Sequence, residues 1–94
     1  MKSFTFIIKD KNGLHARPAG VISATSKGFS SKITIKCQEK EADGKRLLSV
    51  MALGAKCGQT LEFTIDGNDE ERAYSALKSA CEEKLGNDIW KKAL

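Results

Sequence analysis

No stretch of this 94-residue chain is apolar for anything near the ~20 residues that a membrane-spanning helix needs, so no membrane insertion is expected. The start carries one Lys, Lys2, and then a short alternating stretch. It lacks the longer apolar core and small-residue cleavage site of a secretory signal, and a cytoplasmic protein is expected. Cysteine is scarce: Cys37, Cys57 and Cys81 are odd in number, form no CxxC pair, and have only one histidine in the chain to join them. That excludes a disulfide framework and argues against zinc, leaving three buried or half-buried free thiols and no metal or cofactor. Proline occurs once, at Pro18, and there is no linker, repeat or low-complexity tract. Aromatics are 6% of the chain, too few for a base-stacking sheet. Lys27-Gly28-Phe29 echoes the opening of an RNA-recognition signature, but the chain continues Ser30-Ser31-Lys32-Ile33 without the further aromatics, and no nucleic-acid partner is expected.

What is present is ordinary globular composition, 40% apolar and 30% charged. The length suits a single domain, 1–94, with a modest core and little room for a deep cleft, so a surface site is the natural expectation. The net charge of +4 favours acidic partners without choosing among them.

The elements read in order. Phe4, Phe6 and Ile8 alternate with Thr5 and Ile7 as a first strand, and Asn12-Gly13 breaks the pattern. Ala19, Ile22, Ser23 and Ser26 share one face of a helix that begins near residues 16 to 18, where proline is tolerated because first-turn amides are unpaired anyway; Lys27-Gly28 ends it. Ile33, Ile35 and Cys37 alternate in a second strand, and 38–43 reads as a polar turn leading into a short third strand. An apolar helical run at 47–53 closes at Gly54, and Leu61, Phe63 and Ile65 mark a fourth strand. Asn68 and Asp69 cap a last helix whose inner face is Ala73, Leu77, Ala80, Cys81 and Lys84, stopped by Gly86 and followed by a tail with Trp90. The order β-α-β-β-α-β-α, with strands apolar on one face only, predicts a two-layer α/β sandwich whose other face meets water.

The chemistry concentrates in Asn12-Gly13-Leu14-His15-Ala16-Arg17-Pro18-Ala19-Gly20. The first amides of a helix are unpaired donors at the positive end of its dipole, which makes an anion site. Arg17 adds a planar cation suited to phosphate oxygens. An imidazole in such positive surroundings is expected to stay a neutral nucleophile, and a phosphoryl group placed on it would lie against amides and guanidinium. A lone histidine near a helix start can equally be a cap or a surface residue, and residue types alone leave both readings open.

The string Gly13-Leu14-His15-Ala16-Arg17-Pro18-Ala19 resembles the active-site signature of the HPr family, the histidine phosphocarriers of the bacterial sugar phosphotransferase system. Lys27-Gly28-Phe29, the segment Leu47-Leu48-Ser49-Val50-Met51-Ala52-Leu53-Gly54 and Gly67-Asn68-Asp69-Glu70 also fall at the family's positions, so the resemblance runs from residue 2 to about residue 85. It implies an open-faced β-sandwich (α+β), four antiparallel strands with three helices on one face. It implies that phosphorylated enzyme I places a phosphoryl group on Nδ1 of His15, and that His15 passes it to the IIA domain of a sugar permease. Arg17 and the backbone amides of Ala16 and Arg17 would hold the group, and Pro18 would shape the helix start. Such a protein is a covalent relay and does not turn over a small molecule by itself.

A carrier must meet two partners with one face and leave both, which suits a small interface. Val21 and Ala24 lie off the inner face of the first helix, and Leu47, Leu48 and Met51 exceed what one core position can use, whereas Val50 and Leu53 read as core. With Asn12 and Gly20, they fall where the resemblance implies the docking patch, which Lys27, Lys45 and Arg46 would rim. Arg46 occupies the position where many family members carry a regulatory serine, so control by the serine kinase is not expected. A second reading is a regulatory module that binds a transcriptional or metabolic regulator, alone or beside the carrier role. A monomer is the simplest carrier.

Overall fold

The computed structural model describes residues 1–85. Lys84's side chain, Gly86 and the tail 87–94 with Trp90 lie outside that description, so the expected helix stop at Gly86 and any role of the tail do too.

The elements are β1 (Lys2–Ile7), α1 (Ala16–Lys27), β2 (Lys32–Cys37), β3 (Lys40–Asp43), α2 (Leu47–Ala52), β4 (Thr60–Asp66) and α3 (Glu70–Ala80), and a π-helical turn (Cys81–Leu85) prolongs the last helix. The four strands form one sheet in the order β1-β4-β2-β3, antiparallel throughout. This is the expected open-faced sandwich, an α+β fold with the helices against the apolar face.

Period-2 alternation explains why the sheet buries one face. In β2 and β4, Ile33, Ile35, Cys37, Leu61, Phe63 and Ile65 point inward and are buried, while Lys32, Lys36 and Glu62 are exposed. Register pairs Phe4 with Phe63, and their rings stack at 4.6 Å, with Tyr74 of α3 edge-on to Phe4 at 5.5 Å. Helix α1 sends Ala19, Ile22, Ser23 and Ser26 into the layer between helices and sheet, as the spacing predicts, and Pro18 joins them. Helix α3 contributes Ala73 and Leu77, continued by Cys81, while Ala80 is only half-buried.

Several details differ from the sequence reading. The third strand begins inside the stretch read as a turn: only Gln38 and Glu39 turn, with Gln38 in the left-handed region at φ 57°, and Lys40 already pairs with Cys37. A two-residue connection does what six polar residues suggested, because charged residues at a sheet edge look like loop in sequence. Gly28 ends α1 but stays right-handed at φ −74°. Asp69 stands at the N-cap of α3 without capping it; its carboxylate accepts instead from the Ser30 and Ser31 amides at 2.8 and 2.9 Å and from the Ser31 hydroxyl. Cys57 is exposed, unlike Cys37 and Cys81, because it lies in the loop between α2 and β4 rather than on an inward strand or helix position.

Candidate functional site

Two loops carry the site. Ile8 ends the first strand's apolar alternation, fully inside, and exchanges backbone hydrogen bonds with Gln59 and Gly58. The chain then turns: the Gly13 amide donates to the Asp10 carbonyl and the Asn12 amide to Asp10 Oδ1 at 2.8 Å, an Asx-type turn. Gly13 has φ +71°, and a Cβ there would stand 2.5 Å from the Ala55 carbonyl oxygen, so both the conformation and the space require glycine. Leu14 follows, buried, with its amide on the same Ala55 carbonyl at 2.9 Å. These contacts clamp the backbone one residue before His15 against the 55–59 loop.

His15 is the N-cap residue of α1 in extended conformation, and its side chain makes no cap bond. Its carbonyl accepts the first helical bond, from Ala19, at 3.0 Å. Pro18 is the third helical residue and has no amide to satisfy. The helix therefore begins with the amides of Ala16 and Arg17 uncapped by the His15 side chain, at the positive end of a 12-residue helix. Arg17 is exposed, and no partner engages its guanidinium among the described residues. Donor amides, a disengaged guanidinium and a half-exposed imidazole at one helix start can hold a tetrahedral dianion covalently attached to a ring nitrogen.

Asp10 was not among the site residues read from the sequence. Its Oδ2 lies 3.0 Å from His15 Nε2, with both side chains 39% exposed. The surroundings of the imidazole are thus not uniformly positive, as the local sequence suggested: a carboxylate stands against its Nε2. A signal was present: an aspartate two residues before Asn12 can form a local turn that carries it back toward the helix start.

The residues expected to form a docking patch differ in exposure. Leu48 is 79% and Leu47 37% exposed, Met51 and Val21 are half-buried, and Ala24 is exposed, while Val50 and Leu53 are core. Helices α1 and α2 adjoin, joined by the Ser23 hydroxyl donating to the Lys45 carbonyl at 3.2 Å. Gly20 is half-buried with open space where a side chain would be, and Asn12 is exposed. The rim is less free than its charges suggest. Lys27 and Arg46 are exposed, but Arg46 Nε lies 3.9 Å from Asp43 Oδ2, and Lys45 is half-buried. Among the described residues, no cluster of three or more histidine, cysteine or acidic side chains could hold a metal ion, and no helix is long and apolar enough to cross a membrane.

The family model described as the PTS HPr component phosphorylation site matches residues 2–83. The phosphocarrier protein HPr of Mycoplasma capricolum subsp. capricolum is 45% identical over 78 residues, which are 83% of this chain and 88% of that protein. The HPr of Lysinibacillus sphaericus is 37% identical over 83 residues, covering 88% and 94% of the two chains. The multiphosphoryl transfer protein of Salmonella typhimurium is 40% identical over 87 residues, 89% of this chain but only 23% of that longer protein. Among solved structures, a mycoplasma histidine-containing phosphocarrier protein superposes with a TM-score of 0.86 at 40% identity, covering 92% of this chain and 99% of the other. An HPr from Thermoanaerobacter tengcongensis gives 0.84 at 39%, covering 93% and 98%. The family model spans most of the chain and these HPr relatives match it over most of both lengths, so the chain belongs to the HPr family of phosphocarrier proteins of the phosphotransferase system.

Proposed function

We propose that this chain is a phosphoryl carrier: Nδ1 of His15 takes a phosphoryl group from phosphorylated enzyme I and gives it to the IIA domain of a sugar permease. The observation that carries the reading is the start of α1, where a half-exposed histidine stands at an N-cap with no cap bond and Arg17 has no partner among the described residues. A phosphoryl group on Nδ1 gains hydrogen bonds from the amides of Ala16 and Arg17 and from the Arg17 guanidinium without breaking existing ones. Pro18 sets the turn that presents those amides.

The relay needs no deep cleft, because the partner supplies the rest of the reaction surface. The face of Asn12, Gly20, Val21, Ala24, Leu47, Leu48 and Met51 serves both partners in turn, with Lys27, Lys45 and Arg46 steering encounter with acidic surfaces. The chain acts as a monomeric single domain in the cytoplasm, as a covalent relay without its own turnover. Arg46 cannot take the phosphate of a serine kinase, so incubation with that kinase and ATP leaves no acid-stable phosphate; stoichiometric phosphoserine, at Ser49 for example, contradicts this.

The test is intact mass after incubation with enzyme I, phosphoenolpyruvate and magnesium. One acid-labile phosphate adduct, absent in His15→Ala, is expected. No adduct with active enzyme I removes the carrier reading and favours a regulator-binding module.

A further inference from the structure

We infer that Asp10 is a positioning residue for phosphoryl transfer: its carboxylate holds the proton of His15 on Nε2, aims the Nδ1 lone pair outward, and faces the positive charge that the ring gains when Nδ1 is phosphorylated. This deepens the carrier reading and rests on it.

The geometry is specific. Oδ2 of Asp10 is 3.0 Å from Nε2, and Oδ1 accepts the Asn12 amide at 2.8 Å. The carboxylate is therefore fixed by the turn that leads to Gly13, rather than by a freely rotating surface contact. A carboxylate only accepts, so a neutral imidazole at this distance puts its one proton on Nε2. Nδ1 is left with its lone pair. The same arrangement fixes the tautomer and orientation of the general base in hydrolase triads.

The step balances without any further group. The Nδ1 lone pair forms the new N–P bond as the bond between phosphorus and the donor atom breaks, and the donor atom keeps that electron pair. The Nε2 proton stays on the ring, which becomes a phosphorylated imidazolium. Asp10 lies on the Nε2 side, where it stabilises that ring charge. Arg17 and the α1 amides are left to take the phosphoryl oxygens under the carrier reading. In the reverse half of the relay, the ring leaves as the neutral Nε2–H form that Asp10 already holds.

The pair is partly open to water, which weakens it, so the expected rate effect is roughly 3- to 10-fold. Two measurements test the assignment on the whole chain. The first needs no partner protein: phosphoramidate, a small phosphoryl donor, is reacted with the wild type, Asp10→Ala and Asp10→Asn, and the phosphohistidine isomers are separated by phosphorus and ring-nitrogen NMR. The wild type is expected to give the Nδ1 product, with the free ring held as the Nε2–H tautomer. Asp10→Ala gives mixed tautomers and mixed Nδ1 and Nε2 products, and Asp10→Asn, whose single amide oxygen keeps the Asn12 turn and so turns its NH2 donor toward Nε2, shifts the ring proton to Nδ1 and loses the selectivity for the Nδ1 product. The second measures kcat and KM with phosphorylated enzyme I: Asp10→Ala lowers kcat with KM unchanged. Unaltered isomer ratio and tautomer in Asp10→Ala, or unaltered kcat, overturns the assignment. Wild type that reacts selectively with phosphoramidate but takes nothing from enzyme I supports the Asp10 hydrogen bond and overturns the carrier reading instead.

Discussion

At the scale of single residues, the proposed site would divide its labour by charge. Arg17 is the only side-chain cation within two residues of His15, and it is disengaged from the rest of the described chain. A guanidinium that meets phosphoryl oxygens only when they arrive contributes to the charged state and not to the resting one. Replacing it by Gln should slow transfer from enzyme I by roughly 10- to 100-fold, the range for losing one preorganised donor at a partly solvated site, with folding unchanged. Stopped-flow or quench kinetics of the variant give the number; wild-type rates would remove Arg17 from the site. Far from the site, Asp69 shows what a carboxylate does in the opposite role, as a structural acceptor. Hydrogen bonds from the Ser31 side chain, then from the Ser30 and Ser31 backbone, bring its carboxyl down from 3.8 to about 2. A group with a folded value below its unfolded one adds stability that is present above the unfolded value and lost as pH falls through the folded one. Melting temperature should therefore drop between about pH 4 and pH 2 in the wild type, and Asp69→Asn should be less stable at neutral pH and flatter across that acid window. An Asp69→Asn curve parallel to wild type through the window would contradict the assignment.

At the scale of elements, legibility follows the strength of the periodic signal. Strands β2 and β4 and helix α1 declare themselves because their inward positions repeat at 2 or 3.6 residues and their polar positions fill the gaps. β3 hides, since Lys40, Glu41 and Asp43 are exposed and only Ala42 is buried, which leaves no alternation to see. The capping rule placed Asp69 correctly in sequence and wrongly in role, because a carboxylate at a helix start can also be claimed by another loop, here at Ser30 and Ser31. The candidate site was legible at His15, Ala16, Arg17 and Pro18, all within one turn of helix. Asp10 was not, since its contact depends on how the turn at 10–13 folds back. That turn rests on Gly13. Gly13→Ala combines a left-handed φ with a clash against the Ala55 carbonyl, and should cost on the order of 2 kcal/mol. Because relief of the clash moves Leu14 and then His15, transfer should fall as well. Chemical denaturation and transfer assays on one sample check both; a variant as stable and as fast as wild type would show that the two loops are not clamped.

At the scale of the whole molecule, the fold turns one face into a rigid platform and leaves the other face of the sheet polar. The helix layer covers the core formed with β1, β2 and β4, and α1 packs beside α2. Leu48 has no work in the core: at 79% exposure, removing that side chain should leave stability within about 0.5 kcal/mol. Leu48→Glu should nevertheless raise KM for enzyme I and for the IIA acceptor together, by roughly tenfold, if one face serves both. A rise for one partner only would mean two different docking faces. Family membership gives the phosphocarrier class, and the proposed relay through His15 would join the residue, the turn and the platform into one function. The most direct measurement isolates the chain phosphorylated by enzyme I, removes enzyme I and phosphoenolpyruvate, and adds a IIA domain. The account predicts that the acid-labile phosphate leaves His15 and appears on the IIA domain one for one. Phosphate that stays on His15, or that goes only to water, would contradict it.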